Sequence, residues 1–152
     1  MSASLPRLGP GLALPLVLLA SGWGTAWADR SADPGQSAAS APVVASVGDD
    51  GIQHATIILD SYTYAPRHLI VQAAKPVELT LTSVTILTPH NFVLKEPAAG
   101  LDIDQDVSAG KTTRVQFTPM QPGRFTFYCD KKLLFFQSHR EKGMEGLLEV
   151  RP

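Results

Sequence analysis

Residues 77–82, Val-Glu-Leu-Thr-Leu-Thr, alternate apolar with polar, and residues 115–118, Val-Gln-Phe-Thr, do the same. A period of two sends successive side chains to opposite faces, so each run reads as a half-buried antiparallel strand with one face on a core. Shorter β-like runs at 55–59, 68–72, 92–94, 124–128 and 146–150, with the two alternating stretches extended to 77–83 and 112–117, complete the pattern. That many short strands in about a hundred residues predicts an all-β sandwich of seven to eight strands. Pro119, Pro122 and Gly123 mark a turn between two of them, and Gly110 precedes another. Residues 96–110 are open to two readings, with Leu101, Ile103 and Val107 lining either an edge strand or a long surface loop. Helical period is nearly absent, and no internal repeat is visible.

The first part of the chain has a different texture. Arg7 supplies a positive start, residues 11–20 form a short apolar run, and Ala26-Trp27-Ala28 is a small-x-small cleavage pattern. Residues 1–28 therefore read as an export signal; the apolar run, broken by Pro15, falls short of the ~20 residues that span a bilayer. No paired arginine or nearby cysteine suggests the folded-protein route or a lipid anchor. Residues 29–48 are rich in Ala, Ser and Pro and read as a flexible leader, placing the folded domain at 49–152. The expected location is the periplasm, with no stable membrane insertion after cleavage.

Composition narrows the function. At 152 residues there is room for one domain and little more, which excludes a multidomain enzyme. Thirteen Lys and Arg against fourteen Asp and Glu give a net charge of −1 without a long basic run, so nucleic acid is not an expected partner.

Cys129 is the single cysteine. An intramolecular disulfide is impossible, leaving an intermolecular bridge, a buried thiol, or a metal ligand with suitable partners elsewhere. Such partners exist. Cys129 ends an apolar strand, His139 follows after nine intervening residues and Met144 after four more, while His90 lies upstream in Thr88-Pro89-His90-Asn91-Phe92. One thiolate, two imidazoles and a thioether make up the donor set of a mononuclear copper electron-transfer site, with His₂Cys as a trigonal plane and Met as a weak axial ligand. Soft sulfur favours Cu(I) and imidazole suits Cu(II), so the set serves both oxidation states with little movement. Loops at one end of a sandwich can gather residues distant in sequence, which is what His90 and Cys129 require.

These residues resemble the cupredoxin family. The likeness rests on Pro89-His90-Asn91, on Phe127-Tyr128-Cys129, and on His139 and Met144 at the family's common interval, and it covers about residues 49–152. It implies a Greek-key β-sandwich holding one copper ion, Cu(I) or Cu(II), through His90, Cys129, His139 and Met144. It also implies one-electron transfer, with His139 as the exit nearest the surface and Asn91 bracing the ligand loops while a backbone amide there bonds the Cys sulfur. The chain departs from small plastocyanin- or azurin-like members in its nine-residue Cys-to-His interval, where they have two to four, and in Asp130, where they usually place Ser or Thr. A long interval resembles that of nitrite reductases and suggests a green or otherwise altered centre. Multicopper oxidases need His-Cys-His, which Tyr128 and Asp130 rule out here, and the binuclear copper domain of respiratory oxidases needs a second thiolate.

The expected function is therefore an exported monomeric electron carrier rather than an enzyme, with a redox protein as partner. The alternatives are copper tolerance through binding or oxidising Cu(I), with a copper-delivery partner, and an accessory role in metal-ion uptake. His54 and His68 have no motif around them and are expected at ordinary surface or core positions, and Met120 is expected to be exposed in a turn. Residues 133–136, Leu-Leu-Phe-Phe, are expected to pack as extra core, since four large apolar groups are costly to leave wet; an exposed docking patch beside His139 is the other reading. Lys131, Lys132, Arg140 and Lys142 would form a solvated rim able to steer an acidic partner.

Overall fold

The computed structural model describes residues 41–152. The expected export signal at 1–28 and the leader residues 29–40 lie outside them. Strands β1 (Val43–Val44) and β2 (Ser46–Val47) fall inside the segment expected to be leader, so ordered structure begins earlier than residue 49. Ala45, between them, is buried and donates its N–H to Ile70 O at 2.9 Å. Two-residue strands carry no readable period, which is why composition alone extended the leader too far.

The remaining strands are β3 (Gln53–Asp60), β4 (Thr63–Ala65), β5 (His68–Gln72), β6 (Val77–Ser83), β7 (His90–Glu96), β8 (Leu101–Val107), β9 (Thr112–Phe117), β10 (Gly123–Tyr128) and β11 (Glu145–Arg151). One sheet runs β1-β5-β11-β10-β7-β8; the other runs β2-β3-β6-β9, with β4 beside β3. The architecture is an all-β sandwich of two mixed sheets. Residues 101–107 resolve as an edge strand: β8 pairs with β7 from His90↔Val107 to Glu96↔Leu101, and its apolar residues Leu101, Ile103 and Val107 are buried. In β6 burial alternates as its sequence does, with Val77, Leu79 and Leu81 inward.

The core joins both sheets, with Ile57 and Leu59 from β3, Leu79 and Leu81 from β6, Phe92 and Leu94 from β7, Phe127 from β10 and Leu148 from β11. Phe92 and Phe127 stack at 4.8 Å between ring centroids, and Tyr64 meets Phe127 edge-on at 5.1 Å. The Tyr64 hydroxyl keeps its hydrogen bond while buried by donating to Asn91 O at 2.6 Å. This aromatic cluster underlies the end of the sandwich where His90 and Cys129 lie.

Residues 133–136 do not join the core. They are 54–85% exposed, contrary to the packing expected of them. The chain leaves the sheet after β10 and returns at β11, and a backbone bond from Cys129 N–H to Met144 O at 3.1 Å closes that doorway, so the intervening loop sits outside a core already filled.

Candidate metal centre

His90 opens β7, and the two-residue period of that strand places its side chain on the same face as Phe92 and Leu94, both core residues. Cys129 directly follows β10, and Met144 directly precedes β11. Three backbone bonds set the loop between them. Cys129 N–H donates to Met144 O, Met144 N–H to His139 O at 2.9 Å, and His139 N–H to Lys131 O at 2.8 Å. Gly143 has φ +89°, a left-handed conformation that a side chain would strain, and it lets the chain turn into Met144. A 39-residue separation between His90 and Cys129 thus disappears through strand pairing, since β7 and β10 are neighbours in one sheet.

The donor atoms converge. Cys129 Sγ lies 3.3 Å from His139 Nδ1 and 4.0 Å from His90 Nδ1, and the donor atoms of the three residues all fall within 4.8 Å of one another. Metal bonds of about 2.0–2.3 Å at a trigonal angle would hold sulfur and nitrogen about 3.7 Å apart, inside the observed range. His90, Cys129 and Met144 are fully buried, and His139 retains 6% exposure, the most of the four. Met144 belongs to the same buried cluster as Cys129. His54, bonded to Asp50 at 3.1 Å, and His68, bonded to Glu149 at 2.9 Å, lie apart from this group, and Met120 is exposed.

Burial also sets the protonation of the site. It pushes the His90 imidazole down to about 4; the neighbouring His139 adds to the shift and Asp60 opposes it. His139 is lowered by burial and by Lys142. Both rings are therefore neutral near pH 7, with a lone pair free for a metal. Burial raises the Cys129 thiol, while backbone N–H groups of Asn91 and Lys131 act in the opposite direction. The Asn91 N–H stands 3.4 Å from Sγ. His90 Nε2 is buried without a hydrogen-bond partner among the described residues, a cost that a protein core ordinarily avoids.

Asn91 fixes the frame around these donors. Its Nδ2 donates to Asp130 Oδ1 at 2.8 Å and to Asp104 Oδ1 at 3.1 Å, while its Oδ1 accepts the Asp130 N–H at 3.1 Å. The bracing role implied for Asn91 has its bonds here, and the unusual Asp130 is one partner. Asp104, on β8, is a member that the sequence did not reveal.

Tyr62 is a second such residue. It lies in the two-residue turn between β3 and β4 with φ 61°, a sparsely populated conformation for an aromatic residue. Its ring meets His139 edge-on with centroids 4.9 Å apart. The phenol ring thus packs against the least buried of the four candidate donors. No local pattern marks Tyr62; only the folded hairpin brings it to the site.

A model of the cupredoxin-like domain matches residues 18–144. The chain belongs to the cupredoxin-like family. Solved structures share this cupredoxin fold. The metal-binding domain, with Cu(I), of the Cu(I)-exporting P-type ATPase CopA from Streptococcus pneumoniae D39 is 23% identical, with a TM-score of 0.55 over 73% of this chain and 96% of that one. Auracyanin B is 22% identical, with a TM-score of 0.53 over 65% of this chain and 88% of its own. Dithionite-reduced auracyanin from the photosynthetic bacterium Roseiflexus castenholzii is 18% identical, with a TM-score of 0.53 over 71% and 99%. Comparison with curated proteins returned no match.

Proposed function

We propose that this cupredoxin carries single electrons on one copper ion held by His90, Cys129, His139 and Met144. The observation that carries the reading is the approach of two imidazole nitrogens to within 4.0 Å of one buried thiol sulfur. When bound, copper supplies a one-electron couple that none of these side chains possesses. The protein's part is geometric and electrostatic. Burial keeps both imidazoles unprotonated, the Asn91 and Lys131 N–H groups favour the thiolate, and the closed shell over Cys129 excludes water. A sandwich that holds its ligands in place keeps reorganisation between Cu(II) and Cu(I) small. On this reading the chain works in the periplasm and exchanges electrons with a redox protein, His139 being its least buried ligand.

The test is titration of the purified chain with Cu(II), followed by visible and paramagnetic-resonance spectra. An intense sulfur-to-copper absorption should saturate at one ion per chain and vanish in Cys129→Ser. Its absence from the native chain would overturn the reading. Fast electron self-exchange supports the carrier role, whereas slow exchange with tight Cu(I) retention would replace it with copper handling.

A further inference from the structure

Two loops at the metal-site end hold large apolar side chains that the core does not use. Ile86 and Leu87, between β6 and β7, are 88% and 87% exposed; Phe135, between β10 and β11, is 85% exposed, with Leu133, Leu134 and Phe136 beside it in sequence and over half exposed. The loops adjoin, because Leu87, Leu133 and Phe136 line one open cavity of about 470 Å³ together with Tyr62 and His139. Singly exposed leucines need no explanation, but six large apolar groups on adjoining loops form a patch that marks an interaction surface.

Charge selects what covers it. The cavity wall contains Lys131, Lys132 and Lys142 and no carboxylate. In chain order Lys131 and Lys132 enter the apolar run while Arg140 and Lys142 leave it, so cations collar the loop base. The nearby acids lie outside that wall, two of them in ion pairs and three charged but hydrogen-bonded to neutral groups. Asp106 pairs with Lys131 at 2.6 Å, Glu145 with Arg140 at 3.7 Å, Glu141 accepts from Ser138, Asp130 from Asn91 and Asp60 from Ser61. Lys132 and Lys142 make no ion pair among the described residues, Lys142 lying 4.1 Å above the Tyr62 ring. An apolar tip over an ammonium collar matches the cross-section of an anionic bilayer surface, with hydrocarbon beyond and phosphates at the collar.

We propose that this end of the sandwich docks reversibly on an anionic phospholipid surface. Ile86, Leu87 and residues 133–136 enter the acyl boundary, and Lys132 and Lys142 meet the phosphates. Docking turns the Tyr62–His139 edge toward the membrane. The proposal stands on exposure and charge and does not require the metal reading.

The experiment is cosedimentation of the purified, metal-free full chain with phosphatidylcholine vesicles, with and without phosphatidylglycerol, at low and high salt. Binding should require phosphatidylglycerol and weaken with salt. The double variant Ile86→Ser/Phe135→Ser should lower the partition coefficient at least about tenfold, and Lys132→Glu about fivefold or more at low salt. All three positions are exposed, and circular dichroism checks that the fold is kept. Undiminished binding by the double variant would put the lipid contact elsewhere in the chain and overturn the proposal. Failure to bind phosphatidylglycerol vesicles would also overturn it, and capture of polyglutamate instead would assign the patch to an acidic protein. Because the readout uses metal-free protein, a failed copper titration leaves this test standing.

Discussion

Asn91 uses every polar atom of its side chain, two donors on the Asp104 and Asp130 carboxylates and one acceptor for the Asp130 N–H, while its own backbone N–H faces the Cys129 sulfur. Removing such a hub breaks three part-buried hydrogen bonds at once, although Asp104 and Asp130 are themselves exposed. Asn91→Ala should therefore cost about 2–4 kcal/mol in urea unfolding of the metal-free chain. Asp104→Asn keeps an acceptor oxygen in place and should cost no more than about 1 kcal/mol. His90 gives a pH dependence. Its folded value of about 4 lies below the ordinary 6.5, so between these the unfolded chain binds the extra proton. Stability of the metal-free protein should be complete above about pH 6.5 and fall toward pH 4, by on the order of 3 kcal/mol, with His139 adding in the same direction. Thermal melts across that window check it; a flat profile would contradict the assigned burial. The four candidate ligands were legible in the sequence because Cys, His and Met are rare donors whose spacing is informative. Tyr62 and Asp104 were not, because their roles exist only across a hairpin turn and a strand pair.

Among the elements, the β10–β11 pair supports the site most directly, since it carries Cys129 at one end and Met144 at the other. Its register sets Gly146 opposite Phe127. A β-carbon at Gly146 would run into the Phe127 ring and approach Arg67 O to 2.8 Å. Neither neighbour can yield, because Phe127 is fully buried against Phe92 and Tyr64. Gly146→Ala should thus destabilise by about 1–3 kcal/mol in denaturant unfolding and weaken copper binding in parallel. The alternating runs at β6 and β9 announced themselves by period. Strands β1, β2 and β4 are too short for a period, and the edge-strand reading of β8 was settled by its pairing with β7. Residues 133–136 misled because apolar character reports a tendency to be buried, and this loop begins where the core has already closed.

For the whole molecule, metal loading and folding are linked if the site forms only in the folded chain. An ion that binds the native state alone stabilises it by about 4 kcal/mol at a thousand times its Kd. Adding Cu(II) should raise Tm, a chelator should reverse the change, and Cys129→Ser should show little of either. The sequence by itself determined the strand-rich class, the candidate donor residues and the nine-residue interval between Cys129 and His139, because period and residue chemistry are local properties. Only the tertiary structure decided which strands are parallel, that β7 lies beside β10, that Tyr62 packs edge-on against His139, and that the apolar loop faces outward. Those facts depend on which distant segments meet, and on how much of the core is already full when a given stretch of chain arrives.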